Sequence, residues 1–270
     1  MTKMLKPALD RLNRLGIQQI APGVFQLHHI LPNVLNTFFL TSQDNSGGVL
    51  VDAGTIFCGR RITNQIDALA KELRHDTYMD VASSDSESDR GVLSLHVLTH
   101  VHPDHNGASK HICTRYGVPY WVGEGDADVA EGARSMVVGP TWSPFHSLPY
   151  DLWSGAGHPV DRRLKDDDEI LDTGFRAISC PGHTAGHFGF FRERDRLLIC
   201  GDAAANFRLL GTSRPGLLLP PRLFNSEQGR LNLSLKKLAS LRPRTIAFGH
   251  GSVLQNSSNE FEAFVQSCQR

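Results

Sequence analysis

The stretch Thr99-His100-Val101-His102-Pro103-Asp104-His105 places three imidazoles and one carboxylate within six residues. Imidazole nitrogen and carboxylate oxygen together form a donor set for zinc, and also for iron or manganese. The chain has 13 histidines in 270 residues, so four ligand-type side chains at positions 100 to 105 exceed what a polar loop assembled by chance would carry. Such a cluster offers binding of one or two divalent cations and activation of water.

These side chains converge only if the chain delivering them is rigid. The apolar run Val92-Leu93-Ser94-Leu95-His96-Val97-Leu98 predicts a strand ending at the cluster. Four further polar residues follow apolar runs in the same way. Asp52 follows Val49-Leu50-Val51, His183 follows Phe175 to Cys180, Asp202 follows Arg196 to Cys200, and His250 follows Thr245 to Phe248. Taken singly, each has a plainer reading as a turn or loop residue. Taken together, strand ends at one sheet edge would bring five histidines and two or three carboxylates into one site, enough for two cations.

The ordered set T-H-x-H-x-D-H, then P-G-H-T-A-G-H at Pro181–His187, G-D at Gly201-Asp202 and G-H-G at Gly249–Gly251, preceded by V-D-A-G at Val51–Gly54, resembles the metallo-β-lactamase-fold hydrolase superfamily. The resemblance runs from about Val24 to Leu254. It implies an α/β fold, a four-layer αββα sandwich of two mixed β-sheets flanked by helices, with a metal pair at the edge between the sheets. It further implies His100, His102 and His183 on a first ion, Asp104, His105 and His250 on a second, and Asp202 bridging both. Zinc is the expected metal, with iron or manganese as alternatives. Asp52 would sit behind the site and orient ligands, since ligating histidines need an acceptor that fixes their tautomer. His187 would support the site rather than ligate. Two cations about 3.5–4 Å apart can hold a bridging hydroxide at neutral pH, and Asp104 would also orient it or carry its proton.

Departures from known branches narrow the reading. Asp202 stands where β-lactam hydrolases usually lack a bridging aspartate, and His102 stands where flavodiiron-type oxidoreductases have glutamate. Lactonases commonly carry tyrosine three residues after that aspartate; here it is Ala205. The segment Ala203-Ala204-Ala205-Asn206-Phe207 matches neither the glyoxalase II nor the persulfide dioxygenase pattern. The long arm of tRNA 3′-processing endonucleases is not found. The resemblance stays with the glyoxalase II-like side of the superfamily, its subfamily unresolved, and the expected activity is dinuclear metal-dependent hydrolysis of a small thioester, ester or lactone. A mononuclear iron persulfide dioxygenase and a phosphodiesterase or nuclease are the alternatives.

Composition sets outer bounds. Formal net charge is zero, giving no global reason to expect nucleic acid or an anionic membrane as partner. The five cysteines are scattered and odd in number, which predicts reduced thiols and a cytoplasmic protein. No apolar run reaches the roughly 18 residues of a membrane span. Residues 1–22 are read as an amphipathic helical extension, with Leu5, Leu9, Leu12 and Leu15 as its stripe, and 23–270 as one domain. That stripe packs on the domain or serves a homodimer. The polar segment 75–91 is read as a surface insertion. The Pro- and aromatic-rich stretch 124–159 and the Gly/Pro-rich stretch 206–222 are the candidate walls for a small-molecule substrate, through Trp142, Phe145, His146 and Phe207.

Overall fold

A computed structural model describes residues 6–29, 31–43, 47–77, 91–143, 155–207 and 215–268. The first sheet is built from β1 (Ile17–Ala21), β2 (Val24–His28), β3 (Asn36–Thr41), β4 (Gly48–Val51), β5 (Leu95–Val97), β6 (Tyr120–Gly123) and β7 (Arg162–Leu164), in that spatial order. β1 to β4 are antiparallel neighbours, while β4 to β7 run parallel. The second sheet contains β8 (Phe175–Ser179), β9 (Phe188–Arg192), β10 (Leu197–Ile199), β13 (Thr245–Ala247) and β14 (Leu254–Gln255), ordered β14-β13-β10-β9-β8. A separate hairpin pairs β11 (Ala205–Phe207) with β12 (Gly216–Leu218).

The alternation of apolar residues sorts them into layers. Phe38 and Leu40 of β3, Val49 and Val51 of β4, and Phe188 and Phe190 of β9 form the cluster between the sheets. Their neighbours Phe39 and Leu50 face outward and pack with residues of α1 (Lys6–Arg14), α2 (Gly59–Thr77) and α4 (Ser109–Tyr116). Phe191 and Leu198 face the opposite way, beneath α6 (Gln228–Ser240) and α7 (Ser258–Ser267). This is the four-layer αββα sandwich the sequence predicts. Phe190 lies fully buried between the sheets, where truncation to alanine would cost about 3–5 kcal/mol.

Several elements differ from expectation. β1, with residues Ile17-Gln18-Gln19-Ile20-Ala21, pairs as an edge strand, and its short polar-rich run carries little strand signal. α2 extends to Thr77, so the polar insertion begins later than 75; residues 78–90 lie outside the described residues. After β5 the chain forms α3 (Pro103–Asn106) and then α4, with Gly107 between them packed so closely that a side chain there would meet the backbone of Thr55 and Ile56. The stretch 124–159 opens with a helix, α5 (Glu124–Ala130), and residues 144–154 lie outside the described residues. Leu12 of the N-terminal stripe is buried, whereas Leu15 remains half-exposed.

Candidate metal centre

Within the first sheet, β4, β5 and β6 run in one direction, so Asp52, the Thr99–His105 turn and α5 all leave the same edge. In the second sheet β8 and β10 are both antiparallel to β9, and β10 is parallel to β13. The residues after β8, β10 and β13 therefore also share an edge. The two edges are stitched together by backbone bonds: Phe188 N–H donates to Thr99 O and Asn36 N–H to Gly249 O. All seven expected ligand residues meet there.

Three overlapping sets of donor atoms lie within 4.8 Å of one another: His100, His102 and His183; His100, His105 and Asp202; and Asp104, His105 and His250. Asp202 lies among all of them. One of its oxygens is 4.0 Å from His100 Nε2, 3.7 Å from His183 Nε2 and 3.2 Å from His250 Nε2, and the other is 3.5 Å from His105 Nε2. Asp104 approaches His250 Nε2 at 3.1 Å. Such crowding requires a residue without a side chain beside it. A Cβ on Gly249 would collide with the Asp202 carboxylate and the His105 ring.

The residues present fit a divalent metal. His100 Nε2, His183 Nε2 and Asp202 Oδ1 are buried polar atoms with no hydrogen-bond partner, an arrangement that costs about 1–3 kcal/mol per atom unless something binds there. The outer ring nitrogens explain why these Nε2 atoms carry lone pairs. His183 Nδ1–H donates to Asn225 Oδ1 at 2.8 Å, His105 Nδ1–H to Asp52 Oδ2 at 2.9 Å, and His250 Nδ1–H to Val34 O at 2.6 Å. Thr99 Oγ1 donates to Asp52, so it accepts from His100 Nδ1–H at 3.0 Å. Asp52 thus orients one histidine directly and another through a hydroxyl. It does so from a left-handed backbone, φ 63°, a conformation uncommon outside glycine but one that aspartate adopts more readily than most.

His187 takes a supporting place. Its Nε2 accepts the Asp202 backbone N–H at 3.1 Å, which leaves Nδ1–H to donate to Cys180 Sγ at 3.1 Å. Burial holds the His187 pKa well below the usual imidazole value and pushes the Cys180 thiol up to about 12.

Three polar residues that the sequence reading passed over hold the loops. Asp126, buried at the start of α5, accepts from Val101 N–H, Thr184 Oγ1 and Gly186 N–H at 3.1, 2.6 and 2.8 Å. It ties the His100–His102 turn to the His183 loop. Burial pushes its pKa up to about 6, against the pull of those three donors. Asn36 donates through Nδ2 to Phe248 O and Gly251 O, straddling His250. Asn225 supports His183 as above. The signal for Asp126 was a carboxylate two residues into a helix after a buried strand; Asn36 and Asn225 carried none.

The electrostatics divide the centre. Burial holds His100, His102 and His183 below the usual imidazole value, His102 at about 3. Burial also works to lower His105 and His250, but Asp202 and Asp104 overcome it, with Asp52 adding to the effect at His105. His105 rises to about 10 and His250 well above its usual value. Burial works to raise Asp202 and Asp104 in turn, yet His105 and His250 hold both carboxyls below their ordinary range.

A cavity of about 910 Å³ opens onto the centre. Phe207 lines it, its ring stacked 6.1 Å from that of His250. Trp142 is 68 % exposed and lies outside the cavity wall. Phe145 and His146 lie outside the described residues.

Residues 95–250 match the model of the metallo-beta-lactamase superfamily, and the chain belongs to that family. It is 27% identical over 251 residues to a probable metallo-hydrolase, YflN, of Bacillus subtilis, with 86% of this chain and 85% of the relative covered. It is 29% identical over 143 residues to the hydroxyacylglutathione hydrolase of Wigglesworthia glossinidia brevipalpis, covering 52% of this chain and only 49% of that one. Among solved structures, a Cronobacter sakazakii metallo-beta-lactamase with a HARLDQ motif superposes with a TM-score of 0.63 at 15% identity, covering 96% and 95% of the two chains. A metallo-beta-lactamase family protein of Thermus thermophilus gives 0.57 at 21%, covering 93% and 81%. Both share the fold. No helix among the described residues is long and apolar enough to cross a membrane.

Proposed function

We propose that the chain is a metal-dependent hydrolase that binds two divalent ions, most simply zinc, and cleaves an ester, thioester or lactone. The observation that carries this is the set of unpartnered, inward-facing atoms: His100 Nε2, His183 Nε2 and Asp202 Oδ1. His100, His102 and His183 would hold one ion, Asp104, His105 and His250 the other, and Asp202 would reach both. Bound there, the ions would supply Lewis acidity and acidify water toward neutral pKa.

The chain's own residues do the rest. Asp52, Asn225 and Val34 O fix the imidazoles so that no reorganisation accompanies binding. The Asp104 side chain is 39% exposed and faces the cavity, so its carboxylate can take a proton from attacking water and return it to the leaving group.

The test is metal analysis of purified protein alongside a screen of thioester, lactone, phosphodiester and β-lactam substrates. About two zinc ions per chain with turnover of acyl substrates is the expected result. One iron per chain with oxygen uptake on a persulfide, or turnover confined to phosphodiesters, would overturn it.

A further inference from the structure

The cavity beside the centre has a lining too one-sided to be generic. Apart from Thr55, every polar residue that lines it belongs to the metal centre itself: His102, Asp104, His183, Asp202 and His250. The remainder of the described lining is apolar and contains no lysine or arginine. Its walls come from different parts of the chain. Ile56 and Phe57 follow β4, Val138 follows α5, Phe207 and Leu218 sit on the β11–β12 hairpin, and Phe224 precedes α6. At about 910 Å³ it lies near the top of the range of roughly 300–1,000 Å³ for small-molecule pockets.

Two features point to what fills it. The apolar wall begins at the centre, because the Phe207 ring stacks on His250. It also includes Phe57, which lines the cavity yet is 78% exposed, a large aromatic surface left to water. An apolar lining that includes both a ring stacked on a histidine of the centre and an exposed phenyl ring suits a flexible hydrocarbon chain. A charged acyl carrier fares badly there. A glutathione thioester brings two carboxylates and an ammonium, which would lose water with no described cation in the wall to pair them.

Resting on the hydrolytic reading above, we propose that this chamber is an acyl-chain site. It selects neutral esters, thioesters or lactones with a linear aliphatic acyl group, and it discriminates against acyl groups and carriers bearing carboxylates. This sets the chain apart in substrate from what the name hydroxyacylglutathione hydrolase describes in its partial relatives.

The experiment uses the metal-loaded full chain and p-nitrophenyl esters from acetyl to octanoyl, with the hemisuccinate and S-lactoylglutathione as charged comparators. Each methylene buried should raise kcat/KM about threefold, giving about 100-fold from acetyl to hexanoyl. The hemisuccinate should fall at least about 10-fold below the butyrate ester of equal length. Leu218→Lys should flatten the chain-length slope and lift the hemisuccinate; Phe57→Ser, at an exposed position, should lower only the gain from the longest chains. A flat profile, or preference for S-lactoylglutathione, overturns the proposal. Binding of 1-octanol, which has no hydrolysable bond, separates this from the parent reading. Octanol binding with a negative heat-capacity change, weakened about 10-fold by Leu218→Lys, upholds the chamber even if no ester is cleaved. Absence of octanol binding removes the chamber even if esters are.

Discussion

The two ends of the centre are built by opposite means. His100, His102 and His183 are buried, and burial keeps them neutral. At His100 and His183 the lone pairs stand ready, held by a hydroxyl and an amide contact. Asp104 and His250 are partly open to the cavity, and with His105 they form a cluster in which the carboxylates raise both imidazoles above their usual pKa. One end is preorganised by packing and the other by charge. A cation arriving at the first displaces nothing; a cation arriving at the second displaces protons. Asp202 belongs to both, so the ends are coupled through one side chain.

The largest effect should come from removing that coupling. Asp202→Ala is expected to lower turnover by about 1,000-fold or more and to reduce bound metal from about two ions to fewer than one, read by elemental analysis. His183→Ala and His250→Ala should each remove about one. If Asp202→Ala retains both ions, the two ends are independent and the bridging role falls.

The next effect separates the ends by pH. Burial lowers all three imidazoles of the first group, His102 to about 3, so near neutral pH they have little excess proton to lose. His105, at about 10, and His250, raised above its usual value, would each hold a proton until metal replaces it. Affinity at the second group should therefore rise with pH, by up to about 100-fold per unit for two protons released, while affinity at the first stays nearly flat. Chelator competition at several pH values measures both slopes. Equal slopes would erase the distinction.

A third test acts on the first end alone. Asp126→Asn keeps the size of the side chain but replaces an acceptor of three hydrogen bonds with a group that can accept at only one oxygen. Metal affinity at the first group should fall by about 10- to 100-fold, with the second group changed little and the metal-free protein still folded by circular dichroism. Equal losses at both groups would mean that Asp126 supports the fold at large rather than the His100–His183 geometry.

These residues also show what a sequence can and cannot display. His100 to His105, His183, Asp202 and His250 were legible because each sits directly after an apolar strand, where identity and spacing are local. The layered fold was legible through the resemblance those motifs carry, whereas Phe38-Phe39-Leu40 and Phe190-Phe191 are apolar throughout and only the structure sorts them between layers. Asp126, Asn36 and Asn225 act on backbone amides and ring nitrogens far away in the chain, across separations such as 212 residues for Asn36 and Phe248. Nothing near them in sequence marks the partner. The chamber was partly legible as well. Phe207 was expected and lines it, and Leu218 belongs to the 206–222 stretch expected as a wall, but Phe224 and Ile56 enter only when distant segments meet.

The smallest effect is the most local. Asn225 Oδ1 faces His183 Nδ1, and the amide cannot turn over, because Nδ2 donates to Pro220 O at 3.2 Å and to Gln228 Oε1 at 2.8 Å. Asn225→Ala frees the His183 ring and should weaken the first group about 10-fold without touching the second. Asn225→Asp restores the acceptor and adds charge, so it should recover that affinity or exceed it. Pro220 also lines the chamber, so Asn225 joins the wall that would hold an acyl chain to the histidine that would hold the first ion. If the alanine variant changes acyl-chain selectivity and metal affinity together, the two are linked through this amide. If only affinity moves, the chamber stands on its own walls.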